Sequence, residues 1–428
     1  MCQQFVGSNN INILEPRGQF GSRSKGGSDA ASERYISTML SPITRYLFSQ
    51  HDDIILNYIS DDGHSVEPTF YIPIIPFVLI NGMSGIGTGF STNIPPFNPK
   101  QIIHYLVRKL QQGNEMINKD EIFVPFYEHF TGTIEPIIND SFKFLIKGKY
   151  TIIDDRTIHI TELPIATWTM PYKTFIESLL DPIIGKNGNK IPPILTNVTN
   201  NSTDKTIDIR VTFPPNDIQI LETVVDSMGI NGIEKLLKLT TTISTTNMHL
   251  FDNNFKLKKY STIHDIIEEF YHVRFNAYKT RKETMLLNLK QHYLQLSNKA
   301  LYIQYVLDNI IDLRKKSSFV IDELLSTLHL IKINDSYDYL VKMPMISVSM
   351  ENIQKITKEK EEMEHEISFL QNTSIQKIWL QELELLEQQY DIYKKKRILI
   401  NTDIDTNVNV NGNKSNSQTK NKKVKKNV

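Results

Sequence analysis

Glycine is absent from Ser261 to Lys315, and Phe270, Val273, Tyr278, Met285, Leu289, Tyr293 and Leu296 recur there at near-helical spacing. A stretch of that kind predicts one long amphipathic helix. A second begins near Ser349, carries Ile353, Ile356, Met363, Ile367 and Leu370, and extends to about Arg397. Two long helices joined by a small insert at 316–348 predict an antiparallel coiled-coil arm with a globular tip. The alternative is an ordinary helical bundle, but no third long helix is available to complete one.

The rest of the chain reads differently. At 428 residues, and with roughly 150 residues per domain, about three domains are expected. The first 97 residues mix Gly, Ser, Asn and Pro with short apolar runs, which suits a compact α+β or helix-and-loop region. Prolines in 71–80, YIPIIPFVLI, argue against a helix or central strand in its first half. Asn98 and Pro99 then mark a helix start supported by Ile102, Ile103, Tyr105, Leu106 and Leu110. KFLIKGKYTIID (143–154), RTIHITEL (156–163) and DIRVTFP (208–214) read as strands, with a helix near Tyr172–Leu180 and a polar loop over 185–205.

Composition excludes several classes. Cys2 is the single cysteine, so disulfide frameworks and cysteine-built zinc sites are out. No run reaches the roughly 18 apolar residues of a membrane span, and MCQQFVGSNN has no signal-peptide pattern. An intracellular, non-secreted protein without membrane contact is the expectation. Lys+Arg 48 balances Asp+Glu 48, but residues 401–428 hold six Lys against two Asp, leaving 42 against 46 in 1–400. There is no overall basic footprint. The tail, ending KNKKVKKNV, is Asn-, Ser- and Lys-rich and is expected to be disordered.

Three stretches could carry chemistry. In GQFGSRSKGGSDAASERYIST (18–38), glycines permit close backbone approach, while Arg23, Lys25 and Arg34, with Arg17 just upstream, concentrate positive charge. Tyr35 follows Arg34, and a phenol is a poor nucleophile at neutral pH unless cations stabilise its phenolate. Taken alone, an Arg-Tyr pair usually means a partly buried tyrosine beside a surface arginine. Gly85-Ile86-Gly87-Thr88-Gly89 resembles a dinucleotide fingerprint, but Pro95, Pro96 and Pro99 deny it the helix that fingerprint requires. Those glycines suit a tight loop holding Ile86 outward, where it could wedge between DNA base steps; in isolation such a side chain is more often packed inside. In TELPIATWT (161–169), Glu162 and Trp168 flank a proline turn with no catalytic logic of their own. The histidines are scattered, and Asp52-Asp53, Asp61-Asp62 and Asp154-Asp155 read as solvated loops, so no metal site is assigned.

Together, FVGSNNINILEPRGQFGSR (5–23), ASERYISTML (31–40), VEPTFYIPIIPFVLINGMSGIGTGFSTNIPPFNP (66–99), ITELPIATWT (160–169) and LFDNNFKLKKYSTIHDIIEEFYHVRF (250–275) resemble the breakage–reunion region of type IIA DNA topoisomerases, of the eukaryotic or large-DNA-virus kind. The resemblance implies an α+β multidomain fold. Residues 1–97 would be the C-terminal part of a winged-helix domain and 98–260 a mixed α/β tower. Residues 261–315 and 349–397 would be the coiled-coil arm, 316–348 an exit gate and 398–428 the disordered basic tail. Tyr35 would be the nucleophile that becomes linked to the DNA 5′ end, with Arg34 neutralising the scissile phosphate. Arg23 and Lys25 would contact DNA, and Ile86 would be the intercalating wedge.

The implied partners are double-stranded DNA and a second copy of the chain. ATP and Mg2+ would serve the complete enzyme from an ATPase domain and an acidic metal-binding domain that lie outside this sequence, on the same or a companion chain. The chain thus reads as a fragment, expected to be inactive in isolation, acting in the nucleus or at a cytoplasmic viral replication site. Lys25 and Ser28 stand where relatives commonly have His or Thr and Lys, and Ala166 stands where an arginine is usual. A non-catalytic DNA-binding or scaffold remnant with a dimerising arm is the competing reading.

Overall fold

Apolar side chains from both ends of the chain meet in one core. Ile11, Leu47, Ile74, Ile75, Leu79 and Phe97 pack with Ile102 and Leu106, with Ile266, Ile267 and Tyr278, and with Trp379, Leu383 and Tyr390. This arrangement comes from a computed structural model describing residues 1–113, 121–138, 140–184, 190–333 and 335–410. The helix Pro99–Gln112 starts as expected, with the Asn98 side chain accepting from the Lys100 amide and Pro99 in the first turn. Its apolar face closes over the N-terminal region, so the core runs straight across position 97.

A second core lies under a four-stranded antiparallel sheet ordered Asn197–Asn200, Ile209–Thr212, Thr157–Glu162, Lys149–Ile152. Thr157–Glu162 alternates strictly, with Ile158, Ile160 and Glu162 on the buried face. Helix Thr169–Ser178 contributes Tyr172 and Ile176 to this core, and Gly232–Leu236 contributes Ile233. A separate three-stranded sheet joins Thr240–Ser244, Asp140–Lys147 and Thr133–Ile137. The polar stretch 185–205 is not simply a loop: Ile183–Ile184 pairs with Lys190–Ile191, and Asn197–Asn200 is an edge strand. Residues 185–189 lie outside the described residues.

The long helix spans Ile263–Leu307, opened by a reciprocal Thr262/Asp265 capping box. It ends before the expected 315, where the chain turns at Asp308. The descending helix is two helices, Met350–Asn372 and Ile375–Val410, interrupted at Thr373 and Ser374. Met350–Asn372 runs antiparallel to the long helix: Lys360 sits 5.2 Å from the Tyr293 ring, while Lys282 donates to Gln371 O (3.2 Å) and Thr373 O (2.7 Å). Between them a small third core holds Leu296, Leu325, Leu330, Tyr337, Leu340 and Ile356. Backbone helix continues through 398–410, where a disordered tail was expected to have begun; 411–428 lie outside the described residues.

The roots of these helices are fastened by charge as well as packing. Asp52, expected in a solvated loop, is 3% exposed. Its carboxylate accepts from Arg274 Nη1 (2.7 Å) and Arg281 Nη1 (3.1 Å), and Glu382 accepts from Arg281 Nη2 (2.7 Å) and Tyr278 Oη (2.5 Å). Two guanidinium groups cannot be buried without such partners.

Candidate functional site

Tyr35 ends a single 3-10 turn, Glu33–Tyr35, whose geometry is set from both sides. Its amide donates to Ser32 O at 2.9 Å. Strand Ser37–Leu40 then pairs antiparallel with Leu14–Arg17, placing Arg17 opposite Ser37. The chain crosses closely here: a Cβ on Gly18, whose φ is +112°, would lie 2.8 Å from Ile36 Cγ2. Only glycine fits both the backbone angle and the approach.

The phenol ring is 72% exposed. Arg34 Cζ lies 5.1 Å from the ring centroid, a cation–π distance. Among the described residues Arg34 has no carboxylate within ion-pair distance. Its planar fork is therefore free to receive a phosphate, and Arg17 is exposed nearby on the adjoining strand.

The preceding loop is held by its own polar groups. The Ser22 amide and hydroxyl donate to the Asp29 carboxylate (2.9 and 2.5 Å), Gly27 N to Ser22 O (3.0 Å), and Ala31 N to Gln19 O (2.9 Å). Slight burial opposes ionisation of Asp29, but the Ser22 hydrogen bonds and the Lys25 charge hold its carboxyl below the usual range. Lys25 itself is exposed on the loop, as a backbone-phosphate contact requires.

Arg23 departs from expectation. It is 4% exposed and turned into the protein, ion-paired with Glu162 and donating to Leu163 O at 3.3 Å. A buried guanidinium committed to a carboxylate is not a DNA contact. The signal that could have revealed this was the period-two alternation of 157–162, which directs Glu162 inward with Ile158 and Ile160, where it needs a cation.

Ile86 stands at the end of a hairpin, Met83–Gly87 with Phe90–Ile94, opposite Ser91. It is 94% exposed. Neighbouring backbone braces the hairpin: Asn93 N donates to Asn247 O (2.8 Å), Asn247 Nδ2 to Ser91 Oγ (2.9 Å), and His249 N to Thr92 Oγ1 (3.2 Å). A single exposed apolar side chain is ordinary by itself; what marks Ile86 is its place near the turn of a braced hairpin.

The described residues offer no set of ligands that fits a magnesium ion. Among the described residues no group of three or more His, Cys, Asp or Glu side chains converges. Asp52 is neutralised by arginines, and Asp154 is turned to the Arg156 amide at 2.9 Å in its own turn.

The A-subunit family of DNA gyrase/topoisomerase IV matches residues 1–384. The DNA topoisomerase 2 of Arabidopsis thaliana is 38% identical over 431 residues, covering 91% of this chain and 28% of that protein. The DNA topoisomerase 2 of Plasmodium falciparum is 36% identical, covering 92% of this chain and 29% of that one. The crystal structure of the Plasmodium falciparum topoisomerase II DNA-binding, cleavage and re-ligation domain superposes with a TM-score of 0.79 at 36% identity, over 94% of this chain and 55% of that one. The chain thus spans less than a third of the length of these two curated relatives.

Proposed function

The chain belongs to the A-subunit family of DNA gyrase/topoisomerase IV, and from that membership we propose that it is the strand-cleaving and rejoining part of a type II DNA topoisomerase. The observation that carries this is Tyr35: an exposed phenol on a braced turn, with a guanidinium against its ring that pairs with no carboxylate among the described residues. Tyr35 Oη would attack a backbone phosphorus, forming the P–O(Tyr) bond as the P–O3′ bond breaks. The phenol loses its proton and the departing 3′ oxygen gains one, leaving the 5′ phosphate on the protein. Reversal restores the phosphodiester. Ester is exchanged for ester, so resealing needs no external energy, and the site's task is alignment and charge neutralisation.

Arg34 supplies that neutralisation, Lys25 and Arg17 hold flanking phosphates, and Ile86 enters between base pairs to bend the duplex. Residues 1–97 act as the winged-helix portion, 98–260 as the tower, 261–315 and 349–397 as the arm, and 316–348 as the gate. Phe319 and Ile346, 79% and 89% exposed within that segment, support contact between two copies. Two symmetry-related Tyr35 groups would then cut opposite strands of one duplex. ATP and Mg2+ enter from parts outside these residues, so the chain alone gives no covalent adduct. The substrate is intracellular DNA, in the nucleus or at a cytoplasmic replication site.

The test is Tyr35→Phe in the enzyme reconstituted with its ATPase and metal-binding parts. Supercoil relaxation and covalent adducts disappear, while DNA affinity by fluorescence anisotropy stays within about twofold, since one hydroxyl is lost from a largely phosphate-driven interface. Relaxation that persists removes Tyr35 as the nucleophile.

A further inference from the structure

The Glu162–Trp168 stretch has no part in the chemistry above, yet it grips the loop that leads to Tyr35. Glu162 takes Arg23 into an ion pair, and the same carboxylate accepts from Thr131 N (3.2 Å), Thr131 Oγ1 (3.1 Å) and Leu163 N (2.9 Å). Met170 N donates to Ser24 O at 3.0 Å. Gly26 lies against the Trp168 indole so closely that a Cβ there would come within 2.4 Å of Nε1. The indole is held in turn by Phe5, edge-on at 5.7 Å. Arg23, Ser24 and Gly26 are thus each fixed from outside the loop. The Ser22–Asp29 and Gln19–Ala31 hydrogen bonds then carry that placement to Ser32, whose carbonyl holds the Tyr35 amide.

We propose that Glu162 is a positioning residue for the Tyr35 nucleophile, acting through Arg23 and the 19–31 loop; this rests on the cleavage reading above. Stability alone does not call for the pair, because a buried ion pair is seldom better than apolar packing of the same volume. What a bidentate-capable cation on a fixed carboxylate adds is direction. In-line attack depends on such placement: a displacement of about 1 Å costs on the order of 100-fold in rate.

The experiment compares Glu162→Gln with Tyr35→Phe in the reconstituted enzyme, reading adduct yield and DNA affinity separately, with amide hydrogen exchange on the chain itself. Adduct yield falls about 10- to 100-fold in Glu162→Gln while DNA affinity stays within about twofold. Exchange quickens at Gly27 and Ala31 but not at Ile209. Unchanged adduct yield overturns the proposal. So does a parallel fall in yield and affinity, the mark of a merely structural role. Should Glu162→Gln fail to fold, Arg23→Lys keeps the charge but not the fork; normal yield in that variant is equally decisive against it. Adducts surviving in Tyr35→Phe would instead defeat the nucleophile reading, leaving the exchange result at Gly27 and Ala31 intact.

Discussion

Arginine has opposite meanings at the Tyr35 turn and at the helix roots. Arg34 is exposed, pairs with no carboxylate among the described residues, and lies over an exposed ring. Arg274 and Arg281 are buried, each within ion-pair distance of both Asp52 and Glu382, and stack at 4.0 and 4.6 Å on the buried Tyr278 ring. The first arrangement leaves charge for a ligand to neutralise. The second consumes all of it to join the N-terminal region to the two ends of the helical region. One arginine keeps its charge at the surface and the others spend theirs inside the junction, so the two regions should respond to mutation in opposite ways.

The junction gives the largest effect. Asp52→Asn is nearly isosteric but removes a carboxylate that serves two buried guanidinium groups. Leaving such charges uncompensated costs about 3–5 kcal/mol. Trp379, fully buried and donating to Ile74 O at 3.0 Å, reports on the same junction. Urea unfolding followed by its fluorescence should move to clearly lower denaturant, and a shift below about 1 kcal/mol would remove the junction's special standing.

A smaller effect is expected where the last helix returns over the N-terminal segment. His129, at φ +66° with a buried Nε2 that has no hydrogen-bond partner among the described residues, lies near Glu128, Arg397 and Lys394. Burial first, then Arg397, lowers its pKa from the ordinary 6.5, with Glu128 opposing. The folded protein therefore binds this proton more weakly than the unfolded chain. The contribution is whole above 6.5 and is lost as pH falls below that value towards the folded pKa. Between pH 7 and about 5.5 stability should therefore fall slightly, the partial exposure of the ring keeping the effect small. His129→Asn, which tolerates positive φ, should flatten that part of the stability–pH curve. An unchanged slope would assign it to other groups.

Local rules were enough for some elements and failed where a partner distant in sequence decides. The Asn98-Pro99 helix start and the long helix follow from capping and periodicity, both of which act within a few residues. The tight loop around Ile86 was legible because prolines beyond the glycines rule out a helix, but whether its side chain faced out or in was not settled by those residues alone. Arg23 and Asp52 could not be read the same way. Each is polar and sits in a loop-like context, yet Glu162, Arg274 and Arg281 lie more than a hundred positions away. The break at Thr373 was equally hidden, since the apolar spacing carries on through it and Lys282 from the opposite helix takes up the freed carbonyls. The proposal for Tyr35 rests on its surrounding motif, as an Arg-Tyr pair alone points to nothing.

The smallest stability effect belongs to Ile86, and it is the sharpest test of the contrast. A side chain 94% exposed contributes almost no burial, so Ile86→Ala should leave unfolding within about 0.5 kcal/mol of the parent. The hairpin keeps its ladder and its Asn247 and His249 braces, none of which uses this side chain. If the residue enters DNA, its loss appears only with DNA present. A duplex labelled at both ends should show a larger end-to-end distance on the variant, because an alanine cannot hold a base step open. Affinity should change little, since phosphate contacts supply most of it. A marked loss of stability would mean the side chain is packed after all, and an unchanged bend would leave the hairpin without its wedge.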